Sequence, residues 1–191
     1  IPGSKQTLRD LAALRSSGQE TDLIRYAKNG GELFGICGGM QMLGEQLHDP
    51  DGLEGEGPSG QPRADVAGLG LLPLRTMFSG DKALHQRQTL VLWPDQPPQL
   101  EVEGFELHRG TSEAIGDCDP FSADDGLGWV RETTSGTYLH GIFENGPWRR
   151  RWLNRLRRRR GLADLSEQQP HHSRQRNDLL DRLADAFEEH V

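Results

Sequence analysis

Cys37 and a histidine are the residues best suited to chemistry. Cys37 is the centre of Gly35-Ile36-Cys37-Gly38-Gly39, between a short apolar run, Leu33 to Ile36, and a stretch from Met40 to Leu47 with helical periodicity. A nucleophile on a tight turn between a buried strand and a helix stands at the end of a sheet, and flanking glycines let the backbone approach closely. A helix N-terminus aimed at the sulfur favours the thiolate, and the N–H of Gly38 faces the place where an oxyanion would develop. The same pentapeptide also suits a small buried core residue. A thiolate needs a base, and the sequence holds 7 histidines. His140, in Thr137-Tyr138-Leu139-His140-Gly141-Ile142-Phe143, and His108, in Phe105-Glu106-Leu107-His108-Arg109-Gly110, each end a predicted strand. On residue chemistry alone His140 leads only slightly. His48 and His85 lie in polar surroundings, and His171-His172 lacks carboxylates or thiols at ligand spacing, so no metal site is expected.

The elements that must position these groups follow from periodicity. Ile1 to Thr7 reads as the tail of a strand entering a Pro-Gly-Ser turn, followed by a helix through Leu8, Leu11 and Leu14 that stops at Gly18. Thr21 opens a second helix that ends at Asn29-Gly30-Gly31. Helix, short buried strand, turn, helix is the grammar of a doubly wound α/β sheet. Residues 48–70 read as a long surface loop, and 71–74, 89–93 and 102–107 as strands. Residues 127–131 and 137–139 suggest a hairpin across Ser135-Gly136. A helix begins at Asn145 with Trp148, Trp152, Leu153 and Leu156 on one side, and a last one runs from about Gln175 with Leu179, Leu180, Leu183 and Phe187 facing inward.

Composition narrows the classes of function. The 191 residues suffice for one domain with a small appendage, and 24 Gly with 11 Pro place much of the chain in loops. Two cysteines cannot make a disulfide framework, and no apolar run approaches the length of a membrane span. A reducing, cytoplasmic setting without membrane contact is the simplest reading. A net charge of −7 argues against nucleic acid. The arginine-rich stretch from Arg149 to Arg160 reads as a solvated helix face.

Five motifs then fall in one order: Ile1-Pro2-Gly3-Ser4-Lys5-Gln6-Thr7 with Asp10-Leu11, Gly35 to Gly44, Gly68 to Pro73, Gly104 to His108, and Gly136 to Phe143. From Ile1 to roughly Leu156 the chain resembles the C-terminal glutamine amidotransferase domain of the cobyric acid synthase family. The resemblance implies a class I amidotransferase (flavodoxin-like) α/β fold, with a mostly parallel sheet, helices on both faces, and first strands that precede this sequence. Residues 1–165 would form that domain and 166–191 a helical extension. Cys37 would attack the side-chain amide of glutamine, with His140 moving the proton. The N–H groups of Gly3 and Gly38 would hold the oxyanion, and Gln41 would help to hold the substrate. Ammonia would pass to an ATP-dependent synthetase domain, normally in the same chain, which binds the corrinoid and uses ATP and Mg; no cofactor is expected in this segment. Many relatives in the wider superfamily place Glu two residues after this histidine, but Ile142 stands here, leaving Glu106, with His108 nearby, as the candidate orienting group. Arg109 stands where the motif has Met. Two alternatives remain: the amidotransferase of a ligase acting on a cell-wall precursor, and an idle docking module.

Overall fold

The computed structural model describes residues 1–54, 65–94 and 97–190. Helices α1 (Thr7–Ser16) and α2 (Gln19–Lys28) come first, and α1 buries Leu8 and Leu11 as the leucine spacing predicts. Strand β1 (Leu33–Ile36) leads through Cys37 into α3 (Gly38–Leu43). The helix predicted to Leu47 stops at Leu43, and Gln46–His48 is instead β2. Gly44 takes extended backbone there, and Gln46 and His48 line up with Arg75 and Met77 of a parallel neighbour.

The segment predicted as loop from 48 to 70 is partly ordered. Asp65–Ala67 forms β3 beside β2, and Asp49 and Glu54 are buried; residues 55–64 of that prediction lie outside the described residues. Two long strands, β4 (Leu74–Val91) and β5 (Leu100–Ala114), absorb the three short ones predicted. They pair as an antiparallel hairpin with a register shift between Met77 and Lys82. Then come β6 (Asp119–Pro120), β7 (Gly128–Arg131), β8 (Thr134–Thr137) and β9 (Leu139–His140). The hairpin turn is at Glu132-Thr133, not Ser135-Gly136, and Glu132 takes a positive φ of 53° to make it. Helix α4 (Gly146–Arg159) has Pro in its first turn, and α5 (His172–His190) follows it.

The strands form two sheets, ordered β1-β8-β7-β6 and β3-β2-β4-β5-β9. Among the described residues, parallel pairing is confined to β1 with β8 and β2 with β4; the remaining pairs are antiparallel, with short connections joining β4 to β5 and β7 to β8. The expectation of a mostly parallel sheet therefore gives way to a mixed α/β arrangement. Beneath β1 the core is aromatic: Phe34 meets Trp93, Phe121, Phe143, Trp148 and Trp152 at centroid distances between 5.3 and 6.2 Å. The arginines of α4 are less solvated than predicted, since Arg151 is buried on Glu167, and Arg155 and Arg159 share the buried carboxylate of Glu32. Gln169 and Pro170 pack on α4 at Gly146. The inward face predicted for α5 is absent: Leu179, Leu180, Leu183 and Phe187 are all more than half exposed.

Candidate active site

Cys37 sits where β1 becomes α3, at φ 52° and ψ −115°, a conformation that costs a non-glycine residue energy and turns its side chain out of the sheet. Neighbouring glycines make the turn sterically possible. A Cβ on Gly35 would lie 2.6 Å from the Met40 nitrogen, and one on Gly39 would lie 2.3 Å from the carbonyl oxygen of Ile1. The Cys37 N–H donates to Thr137 O at 2.8 Å, which ties the nucleophile to the end of β8. Three residues on, β9 presents His140, whose ring stacks on Phe105 at 5.0 Å.

Thiol and imidazole converge on one backbone oxygen. Cys37 Sγ lies 3.4 Å and His140 Nε2 3.2 Å from the carbonyl of Leu107. A carbonyl only accepts, so Nε2 carries the ring proton and Nδ1 is the basic nitrogen. A cavity of about 630 Å³ opens in front of them. Gly3 is at its wall: a Cβ there would lie 3.3 Å from His140 Cε1 and 3.6 Å from Cys37 Cβ. Gly38 backs onto Ser4 and Thr7, and its N–H favours the ionised sulfur.

Of the remaining predicted site residues, Gln41 and His108 line the same cavity, and Glu106 stands behind it. Gln41 is buried, accepting from Thr7 Oγ1 at 3.1 Å and donating to Arg109 O at 2.9 Å and Tyr138 Oη at 3.1 Å. Its amide braces α3 against α1, β5 and the approach to β9. Glu106 does not bond His140 among the described contacts. It accepts from His108 Nε2 at 2.8 Å and pairs with Arg87 at 2.5 Å. His108 bonds Gly110 O with its other nitrogen and stacks on Tyr138 at 3.5 Å. Period-two alternation explains this, since Phe105 rather than Glu106 is the β5 residue opposite His140.

Glu54 is the site residue that sequence reasoning missed. It lines the cavity with Cys37, Lys82 and Arg109, and accepts the Thr7 N–H at 2.9 Å where α1 begins. Asp49 holds it in place by accepting the N–H groups of Leu53 and Glu54, both at 2.9 Å. The spacing Asp49-x-x-x-Leu53-Glu54 was the available signal, a side chain capping its own loop. Opposite charge enters from Arg109, whose Nε is buried without a hydrogen-bond partner among the described residues.

Burial dominates the electrostatics. It pushes the Cys37 thiol up to about 11; the Gly38 N–H opposes this, and the Glu54 charge adds to it. The lowered thiol expected from a helix N-terminus is therefore not found, because α3 has only 6 residues and the sulfur is shielded from water. Burial also holds His140 below the usual imidazole range, with the His108 charge adding to the fall and the Leu107 carbonyl opposing it. Glu54 is raised, chiefly by burial, against hydrogen bonds from Thr7. Burial pushes Glu106 up too, but hydrogen bonds from His108 and Arg87 outweigh it and leave this carboxylate below its ordinary range. The resting pair is thus a neutral thiol and a neutral imidazole.

Residues 1–148 match the model of the CobB/CobQ-like glutamine amidotransferase domain. A cobyric acid synthase of Synechococcus sp. (strain WH7803) is 62% identical over 197 residues, covering 100% of this chain and 40% of that protein. Those of Parasynechococcus marenigrum (strain WH8102) and Prochlorococcus marinus (strain NATL2A) are 56% and 42% identical, and the chain spans 38% and 39% of their lengths. A solved glutamine amidotransferase superposes with a TM-score of 0.57 over 82% of this chain and 76% of its own, at 15% identity, which supports the shared fold. This chain belongs to the CobB/CobQ-like glutamine amidotransferase family.

Proposed function

We propose that this chain is the glutamine-hydrolysing part of a cobyric acid synthase. The convergence of Cys37 and His140 on the Leu107 carbonyl, at the mouth of one cavity, carries the reading. Glutamine enters with its α-ammonium group toward Glu54 and its α-carboxylate toward Arg109, and its side-chain amide reaches Cys37. The thiol proton passes to His140 as sulfur bonds to the amide carbon, and the N–H groups of Gly3 and Gly38 take the developing oxyanion. The tetrahedral intermediate collapses, the C–N bond breaks, and ammonia leaves with the proton from His140. Water then hydrolyses the thioester to glutamate. Gln41, which lines the cavity, helps to hold the substrate and fixes the frame around Cys37, and Glu106 with His108 supports the strand behind it.

The ammonia serves a synthetase part that binds ATP, Mg and a corrinoid carboxylate, and that would amidate adenosylcobyrinic acid a,c-diamide. This chain spans about two fifths of the length of its curated relatives, which leaves room in such proteins for that part. Residues 1–165 act as the amidotransferase unit, with 166–191 an extension. Two free cysteines suit a reducing, cytoplasmic setting. Among the described residues no helix is long and apolar enough to cross a membrane.

An electrophilic glutamine analogue tests the reading. It should modify Cys37, and not Cys118, and glutamine should protect. Failure to label Cys37, in this chain and in the longer polypeptide that carries it, overturns the assignment.

A further inference from the structure

His108 stands at the wall of the active-site cavity with both ring nitrogens engaged by acceptors. Its side chain is only 8% exposed. Nε2 lies 2.8 Å from Glu106 Oε1, and Nδ1 lies 2.8 Å from the Gly110 carbonyl. The register shift between Met77 and Lys82 leaves Gly110 outside the ladder, and at φ 79° its carbonyl turns back onto the ring. Glu106 is an ionised acceptor, since bonds from His108 and Arg87 outweigh the upward push of burial. Its other oxygen accepts from Arg87 Nε at 2.6 Å. A carbonyl and a carboxylate only accept, so each His108 ring nitrogen carries a proton and the imidazole is a cation. Tyr138 stacks on its face at 3.5 Å, a contact that suits a cation.

We infer that His108, clamped between Glu106 and the Gly110 carbonyl, is a fixed imidazolium and a positioning residue for His140: its charge keeps the His140 ring free of a proton at rest and makes that ring, once protonated by Cys37, a readier donor to departing ammonia. The inference rests on the glutaminase reading above. Both rings face one cavity, and His140 Nε2 donates to the carbonyl of Leu107, the residue before His108. Burial is the first cause holding His140 below the usual imidazole range; the Leu107 carbonyl opposes it, and the His108 charge adds to it. Lys5, Lys82, Arg109 and Glu54 also line that cavity, with Cys37 beside His140. A second cavity of about 530 Å³ shares Lys82 and His108 with the first, and brings in His85, Arg87, Asp124 and Asp125. The two aspartates favour the cation and Lys82 and His85 oppose it across the cavity, whereas Glu106 and Gly110 bond the ring directly.

Nitrogen NMR of the histidines, in the polypeptide that carries this chain, reads the charge directly and needs no glutamine turnover. At about pH 7.5 both His108 ring nitrogens should show the protonated shift, and His140 should show one protonated and one bare nitrogen. A neutral His108 overturns the proposal, whereas a failure of the glutaminase reading would show as no hydrolysis of glutamine at any pH. His108→Gln removes the charge and keeps an amide N–H that can donate to Glu106. The His140 titration midpoint and the acid limb of kcat/KM for glutamine should then both rise by about 0.5–1 pH unit. Well below the limb, activity should fall about 3- to 10-fold more than on the plateau. An even loss across pH, with the limb unmoved, is what a merely structural residue would give, and it overturns the proposal. Glu106→Gln leaves His108 in place and should let it release one proton near neutrality. A ring that stays doubly protonated in that variant overturns the clamp.

Discussion

At Cys37, burial works against nucleophilicity and the turn works for it. With the thiol held near 11, alkylation by iodoacetamide in the ligand-free protein should keep accelerating up to about pH 11. Its rate at pH 8 should be about 10³-fold below the plateau, since each pH unit below the pKa costs a factor of about ten in thiolate. A plateau near neutrality would refute the shielded-thiol description. Glu54→Gln separates charge from shape: an amide oxygen still accepts the Thr7 N–H, but the negative charge facing the cavity is gone. Glutamine KM should rise about 10- to 100-fold, for a lost charged contact of about 1.5–3 kcal/mol. Cys37 alkylation should become faster, because the Glu54 charge contributes to the raised thiol. An unchanged KM would remove Glu54 from the substrate site. Cys37 and His140 were legible because each stands at a strand end marked by glycine. Glu54 was hidden because Asp49 organises it through backbone N–H groups, within a polar stretch whose composition signals only loop.

α1 and β1 were readable because they bury a stripe or face, and α2 because Asn29-Gly30-Gly31 ends it, whereas β4, with its middle exposed, was misread. Between Ser79 and Gln88 no described side chain of β4 is buried, so the period-two signal vanishes and one long hairpin looks like separate short strands. In α5 the leucine stripe was genuine but periodicity cannot say what faces it. The strand-turn-helix element around Cys37 permits a sharper test. Gly39→Ala forces a Cβ to 2.3 Å from a backbone oxygen that cannot swing away. Denaturant unfolding should show a loss of about 1–3 kcal/mol or more, with glutaminase activity lost as the turn shifts. Gly80→Ala, whose Cβ meets nothing within 4 Å, should stay within about 0.5 kcal/mol of the parent. Equal effects of the two would show that close packing does not fix the turn.

Across the whole molecule, Cys37 and His140 straddle a seam. Cys37 ends β1 of one sheet and His140 lies on β9 of the other, and Tyr138 is the residue by which the chain crosses between them. Its ring packs on His108, and its hydroxyl, kept neutral by burial, lies 2.6 Å from Ser112 Oγ and 3.1 Å from Gln41 Nε2. One side chain therefore links β5, α3 and the start of β9. Tyr138→Phe keeps the ring and removes the hydroxyl, so packing survives while the hydrogen bond from Gln41 loses its acceptor. Stability should fall by about 1–2 kcal/mol, the cost of leaving one buried polar group unpaired. If the seam sets the distance from sulfur to imidazole, kcat for glutamine hydrolysis should fall further than stability alone explains. KM should stay nearly constant, because the Tyr138 hydroxyl bonds neither Glu54 nor Arg109. A loss of stability with kcat untouched would show that the seam holds the sheets together without positioning the pair. A raised KM would instead place Gln41 in contact with substrate, since freeing its amide would then disturb binding first.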